Sequence, residues 1–106
     1  FGTRVKAVHQ KDFAGPGETH SPVNLLEKLG VKGFIPADKF GSVVAREDFA
    51  EIGTGRMDIQ PIVDAAIALG SVEHIILEQD YTRLDPFESL RVSRAGLARF
   101  SGVSAD

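Results

Sequence analysis

Ile75-Ile76-Leu77-Glu78-Gln79-Asp80-Tyr81 is the stretch on which the fold turns. Three apolar residues run straight into a carboxylate, a polar residue and a second carboxylate. A short apolar run, rich in β-branched residues and closed by polar ones, reads as a strand buried on both faces. In parallel α/β sheets the chemistry gathers where such strands end, at the carboxyl edge. Glu78 stands at that edge, and the two-residue period of a strand points Asp80 the same way. The plainer reading of the same residues is the polar start of a loop.

Upstream of this strand, expected over residues 73–79, lies the best helical pattern of the chain. Ile59, Ile62, Val63, Ala66 and Ile67 recur at helical spacing over residues 59–69, with Asp58 as the expected cap and Gly70 as the stop. Pro61 falls in the first turn, where its missing N–H is harmless. Downstream, Asp85 and Pro86 open a last helix whose buried side is expected to be Phe87, Leu90, Leu97 and Phe100, closed by Gly102. Residues 104–106 read as a frayed tail.

Nearer the start, residues 4–10 alternate enough for a strand that ends in the polar run His9-Gln10-Lys11-Asp12. Gly15-Pro16-Gly17 breaks the backbone. Ser21-Pro22 then starts a short helix with Val23, Leu25, Leu26 and Leu29 on its apolar side and Gly30 as its stop. Residues 31–47 have no clean period and read as a long loop, the kind that often serves as a lid. Residues 49–52 read as a short extended piece leading into Gly53-Thr54-Gly55. Strand, crossover helix and strand make an α/β unit with a parallel sheet. Two long strands and three helices form a thin sheet with an open hydrogen-bonding edge on each side, which predicts self-association.

The totals bound what such a domain does. At 106 residues, with 42% apolar and 25% charged residues, the chain suits one soluble domain. A net charge of −3 argues against nucleic acid as a partner. No apolar run approaches the roughly 18 residues of a membrane span, so no membrane partner is expected. The absence of cysteine excludes disulfides and thiolate metal sites and fits a reducing, cytoplasmic compartment. The chain opens at Phe1 rather than Met, in what reads as a strand approach, as a piece of a longer protein would.

His9 and Glu78 carry the candidate chemistry. Placed near the carboxyl ends of neighbouring parallel strands, an imidazole and a carboxylate suit Mn²⁺, Zn²⁺, Co²⁺ or Mg²⁺. Ala7 and His9 share one face of their strand, and His74, Ile76 and Glu78 share one face of theirs. If both faces look into a closed barrel, His9 and Glu78 meet at its mouth and His74 lies deeper, near the opposite end. Taken alone, His9 reads better as a core histidine with its hydrogen bonds satisfied. Asp80 reads as a hydrogen-bonding residue behind the ligands. Lys11 and Asp12 either touch substrate oxygens or pair with each other. Gly53-Thr54-Gly55 either offers amides to a phosphate or makes a tight turn, the simpler reading. Glu51 either lines the pocket or is solvated. His20 reads as exposed and His74 as structural.

Four segments occur in order: His9-Gln10-Lys11-Asp12; Glu51-Ile52-Gly53-Thr54-Gly55-Arg56-Met57-Asp58; Leu77-Glu78-Gln79-Asp80; and Pro86-Phe87-Glu88-Ser89-Leu90 with Ser93-Arg94. Together they resemble the C-terminal portion of the xylose-isomerase-like TIM-barrel proteins. That group includes sugar-phosphate isomerases and epimerases, ketose 3-epimerases, inosose dehydratases and endonuclease IV. The resemblance spans nearly the whole chain except residues 14–46. It implies an α/β fold that is the C-terminal part of a (β/α)8 TIM barrel: the last two strands and their helices. A whole barrel typically has ~250 residues.

The resemblance also implies roles. The family's metal site takes Glu, Asp, His and Glu from four strands. His9 matches the histidine ligand, and Glu78 matches the final glutamate, which in epimerases also moves a proton. Apart from the resemblance, the residues themselves make Lys11, Asp12 and Glu51 the candidate contacts to a small sugar or polyol substrate, with Asp80 behind the ligands. Two ligands alone rarely hold a metal, so the isolated piece is expected to be catalytically silent. Ketose 3-epimerases carry a substrate-binding arginine where this chain has Gly15, which points away from that subtype. Endonuclease IV carries a metal-binding histidine where this chain has Phe49, which points away from DNA repair. The expected parent is a metal-dependent isomerase or epimerase of a sugar, sugar phosphate or polyol, with inosose-type dehydration as neighbouring chemistry. The alternative is a non-enzymatic α/β module that binds or self-assembles through its open edges.

Overall fold

β1 (Ala7–Gln10) and β4 (His74–Leu77) lie parallel, with Ala7 opposite His74, Val8 opposite Ile75, His9 opposite Ile76 and Gln10 opposite Leu77. The computed structural model describes residues 1–14, 30 and 46–104. The short helix expected after Ser21, the lid loop except its last residues, Gly15 and His20 lie outside them. Both long strands are shorter than their sequence pattern. A 3₁₀ turn (Gly2–Arg4) occupies the expected start of the first, and the second ends at Leu77. Single backbone bonds extend the pairing at either end, from the Glu73 amide to the Lys6 carbonyl (2.9 Å) and from the Glu78 amide to the Gln10 carbonyl (3.1 Å).

Between the two strands runs α1 (Gln60–Leu69), and after β4 comes α2 (Pro86–Leu97). The result is a small α/β fold in which one face of the parallel pair is packed. Ile75 and Leu77 rest on a core of Ile52, Ile59, Val63 and Leu97, joined by Phe100 and Val103. The other face carries Ala7, His9, His74 and Ile76, all exposed. Burial of β4 on both faces is therefore not found among the described residues. Strand alternation sends every second side chain away from the core, and nothing described covers that side.

α1 begins with Ile59 at its N-cap and no side-chain cap, so the capping role expected of Asp58 is not met. Pro61 sits in the first turn, and Gly70 closes the helix in the left-handed region at φ 65°, its N–H bonded to the Ile67 carbonyl. Ile59, Val63 and Ala66 face the core, while Ile67 at the flank stays exposed.

α2 is capped as expected: the Asp85 carboxylate accepts from the Phe87 and Glu88 amides at 3.0 and 3.2 Å. Its buried side is only partly the one expected: Leu97 lies in the core and Phe100, just past the helix end, packs against it. Phe87 is 82% and Leu90 50% exposed, whereas Ser89, Ser93, Gly96 and Leu97 are buried. Close backbone approach explains the reversal. The Ser93 hydroxyl accepts from the Ile52 amide (3.2 Å), and a Cβ on Gly96 would run into the Ile52 carbonyl. Only small residues let the helix lie that near the turn. The helix ends at Leu97, five residues before Gly102, which occupies a positive-φ turn instead.

A second pairing completes the framework. β2 (Asp12–Phe13) runs antiparallel to β3 (Phe49–Ala50), and the Phe13 and Phe49 rings meet edge to face at 6.4 Å. A 3₁₀ turn, Arg46–Asp48, leads into it. Among the described residues, no helix is long and apolar enough to cross a membrane.

Candidate functional site

The ends of β1 and β4 bring four charged or titratable side chains together. His9 is on β1, and Glu78 follows the last residue of β4. Their Nδ1 and Oε2 atoms are 2.9 Å apart across a sequence separation of 69. The second Glu78 oxygen, Oε1, accepts from the Lys11 ammonium at 3.2 Å, and that ammonium also bonds Asp80 Oδ2. The order follows from strand geometry. Lys11 is two residues past His9, and Asp80 is two past Glu78, so all four share one side of the sheet.

His9 is not a core histidine, since its side chain is 62% exposed against 38% for Glu78. The hydrogen bond from Lys11, and next that from His9, holds the Glu78 carboxyl below its usual range. The bond to Asp80 raises the Lys11 ammonium above its ordinary value, against the opposing effect of burial. Both groups are thus fixed in their charged forms near neutral pH.

The donor pair fits half of a divalent metal site. Ligands at ~2.1 Å and right angles about one ion lie about 3 Å apart, close to the separation of Nδ1 and Oε2. For both to ligate one ion, the ion takes the place of the proton they share. Among the described residues, no group of three or more His, Asp or Glu side chains is placed to hold a metal.

No protein-family model matches the chain, and no curated protein or solved structure is significantly similar to it.

Asp12 does different work from Lys11. It is 2% exposed, and its carboxylate accepts amides from Phe13 (2.8 Å), Gly53 (2.8 Å), Gly55 (3.0 Å) and Met57 (3.2 Å). The turn Gly53-Thr54-Gly55 therefore wraps its amides around a carboxylate of the same chain. A Cβ on Gly55 would meet that carboxylate, so glycine is required by proximity. The tight-turn reading describes this segment; two of the amides that a phosphate would need already bond Asp12.

Glu51 belongs to the framework as well. Its carboxylate accepts from the hydroxyls of Thr82 (2.5 Å) and Ser89 (3.0 Å), tying the turn to the segment after β4 and to α2. Burial pushes its pKa up, but these bonds and its backbone outweigh that and leave it lowered. His74 lies at the opposite end of β4 from Glu78 and borders a cavity of about 270 Å³ between α1 and the residues after α2.

The link missed by sequence reasoning is Lys11 to Glu78 and Asp80. Its signal was present in the register: with His9 opposite Ile76, the next pair on that face is Lys11 and Glu78.

Proposed function

We propose that this chain is the closing part of a (β/α)8 barrel. Its carboxyl edge supplies two ligands of a divalent metal (Mn²⁺, Mg²⁺, Co²⁺ or Zn²⁺), and the complete barrel isomerises or epimerises a small sugar, sugar phosphate or polyol. The observation that carries this reading is the 2.9 Å approach of His9 Nδ1 and Glu78 Oε2 at the ends of adjoining parallel strands. Support comes also from the layering, with the core packed on one face of the sheet while the face bearing His9 is left for other strands to cover, as the inner face of an incomplete barrel is.

When bound, the metal polarises adjacent carbonyl and hydroxyl oxygens of the substrate. His9 holds that ion as a neutral ligand. Glu78 would ligate it and act as the base that takes the proton from the hydroxyl-bearing carbon next to the carbonyl and returns it. Lys11 donates a hydrogen bond to a substrate oxygen, and Asp80 orients Lys11. Loss of a hydroxyl instead of reprotonation gives the dehydratase variant. With two donors alone, the chain by itself is catalytically silent. The test is calorimetric titration of Mn²⁺ into a polypeptide with all eight strands: His9→Ala and Glu78→Ala each abolish measurable binding. Unchanged affinity in either variant contradicts the reading.

A second reading, self-assembly, is favoured by one observation. Ile76 is 42% exposed on the open sheet face, and each long strand pairs on one side only among the described residues. Lys6 and Lys11 flank β1, whereas Glu73, Glu78 and Asp80 flank β4. Pairing β1 with β1, or β4 with β4, sets like charges opposite each other. Joining β1 of one copy to β4 of the next repeats the intrachain pairs Lys6–Glu73 and Lys11–Glu78, so assembly is head to tail.

A further inference from the structure

We infer that this chain assembles with copies of itself into a closed ring of four, in which the four β1–β4 pairs make one eight-stranded parallel barrel around the exposed sheet face. The ring rests on the head-to-tail pairing of β1 with β4 and gives that pairing its number of partners and its end point.

Three unpartnered surfaces lead to it, all among the described residues. The first is the sheet face. Val63 of α1 and Leu97 of α2 belong to the one core on which Ile75 and Leu77 rest, so both helices lie on the same side of the strands. Ala7, His9, His74 and Ile76 stand exposed on the other side. A parallel sheet is normally covered on both faces, and one clad by helices on a single side buries its bare face by closing on itself. The second surface is the pair of outer strand edges. Within the chain Lys6 meets Glu73 and Lys11 meets Glu78, each at 3.2 Å and each on one flank only. Setting the next copy's β1 against β4 in the same register places an opposite charge on both flanks of every one of these groups. The third surface is on the helices, where Ile67 and Leu69 of α1 and Phe87 and Leu90 of α2 are exposed. In a head-to-tail repeat α2 lies over the groove between its own β4 and the next copy's β1, beside the next copy's α1.

The number of copies follows from the strands. A parallel barrel filled by its own side chains has eight, and each copy brings the two of its parallel sheet. The interior of such a barrel is layered, each layer taking four side chains from alternate strands. Four-fold symmetry meets that rule directly, because every layer is then one residue repeated: the Ile76 side chains of all copies form an apolar layer. His9 and His74 come from opposite ends of the parallel pair, so their rings lie toward the two openings and reach water.

The test is analytical ultracentrifugation of the 106-residue chain over a wide range of concentration. The expected mass rises to four times the 11.4 kDa of one chain and no further. Ile76→Asp is expected to hold the chain at the mass of one copy while circular dichroism shows it folded. Ile76 is exposed in the single copy, and only the ring would bury the new carboxylates together. Ile76→Asn replaces it if aspartate unfolds the chain. A mass that keeps climbing with concentration overturns closure and leaves head-to-tail pairing standing. A discrete species of any other number overturns the ring of four. A four-chain species that survives the Ile76 substitution overturns the barrel interior. A monomer at every concentration overturns the ring and the pairing together.

Discussion

The Glu78 amide donates to the Gln10 carbonyl at 3.1 Å, one rung beyond the last paired residues of β1 and β4. That bond fixes Glu78 as the residue facing Lys11 and brings its carboxylate beside His9. Parallel register, rather than any loop, builds the charged edge.

Stability near that edge follows pH with a defined sign. Hydrogen bonds from Lys11 and His9 lower the Glu78 pKa, so its contribution is complete above the ordinary carboxylate range and is lost as pH falls through the lowered value. The Lys11 pKa is raised, chiefly by Asp80, so its contribution is complete below the ordinary lysine range and is lost as pH rises through the raised value. Urea midpoints measured across pH are expected to fall at both extremes. Glu78→Gln is expected to flatten the acid side; an acid limb identical to that of the unaltered chain contradicts this.

Asp12→Ala leaves four amides without their acceptor around a nearly buried site. Loss of about 3 kcal/mol is expected, mostly the penalty of unpaired donors. A urea unfolding curve shifted by less than about 0.5 kcal/mol shows that the turn holds without Asp12.

Gly96→Ala sets two effects against each other. Alanine gains about 1 kcal/mol of helix propensity, but the added methyl meets the Ile52 carbonyl, and overpacking costs about 1–3 kcal/mol. Backbone cannot give way as a side chain does, so net destabilisation is expected in thermal unfolding. A raised melting temperature contradicts the close approach of α2.

Asp85→Ala removes the two N-cap bonds of α2 and is expected to reduce stability by about 1 kcal/mol. The same denaturation series measures it. No change means that the first turn does not rely on the cap.

Self-association through the sheet edges is expected to weaken with salt, since Lys6–Glu73 and its neighbours are exposed pairs. Light scattering follows the mass against concentration. A monomer at all concentrations removes the assembly reading.

Much of this arrangement was legible in residue patterns, because it depends on local rules. The Asp85-Pro86 start of α2, the Gly70 stop of α1 and the convergence of His9 with Glu78 all follow from caps and strand period. What was not legible depends on approach distances between distant segments. Phe87 and Leu90 look like a buried stripe, yet Ser89, Ser93 and Gly96 face inward because the Ile52-Gly53 turn lies against the helix. Asp12 looked like a ligand for substrate, and only the fold brings the Gly53 and Gly55 amides to it. Asp58 had the right position for a cap, but Pro61 and the burial of Ile59 begin the helix differently.

The most direct measurement of the central claim is anomalous X-ray scattering from Mn²⁺-soaked crystals of a polypeptide with all eight strands. The expected result is a peak about 2.1 Å from both His9 and Glu78. A peak elsewhere, or none while the His9–Glu78 hydrogen bond persists, contradicts it.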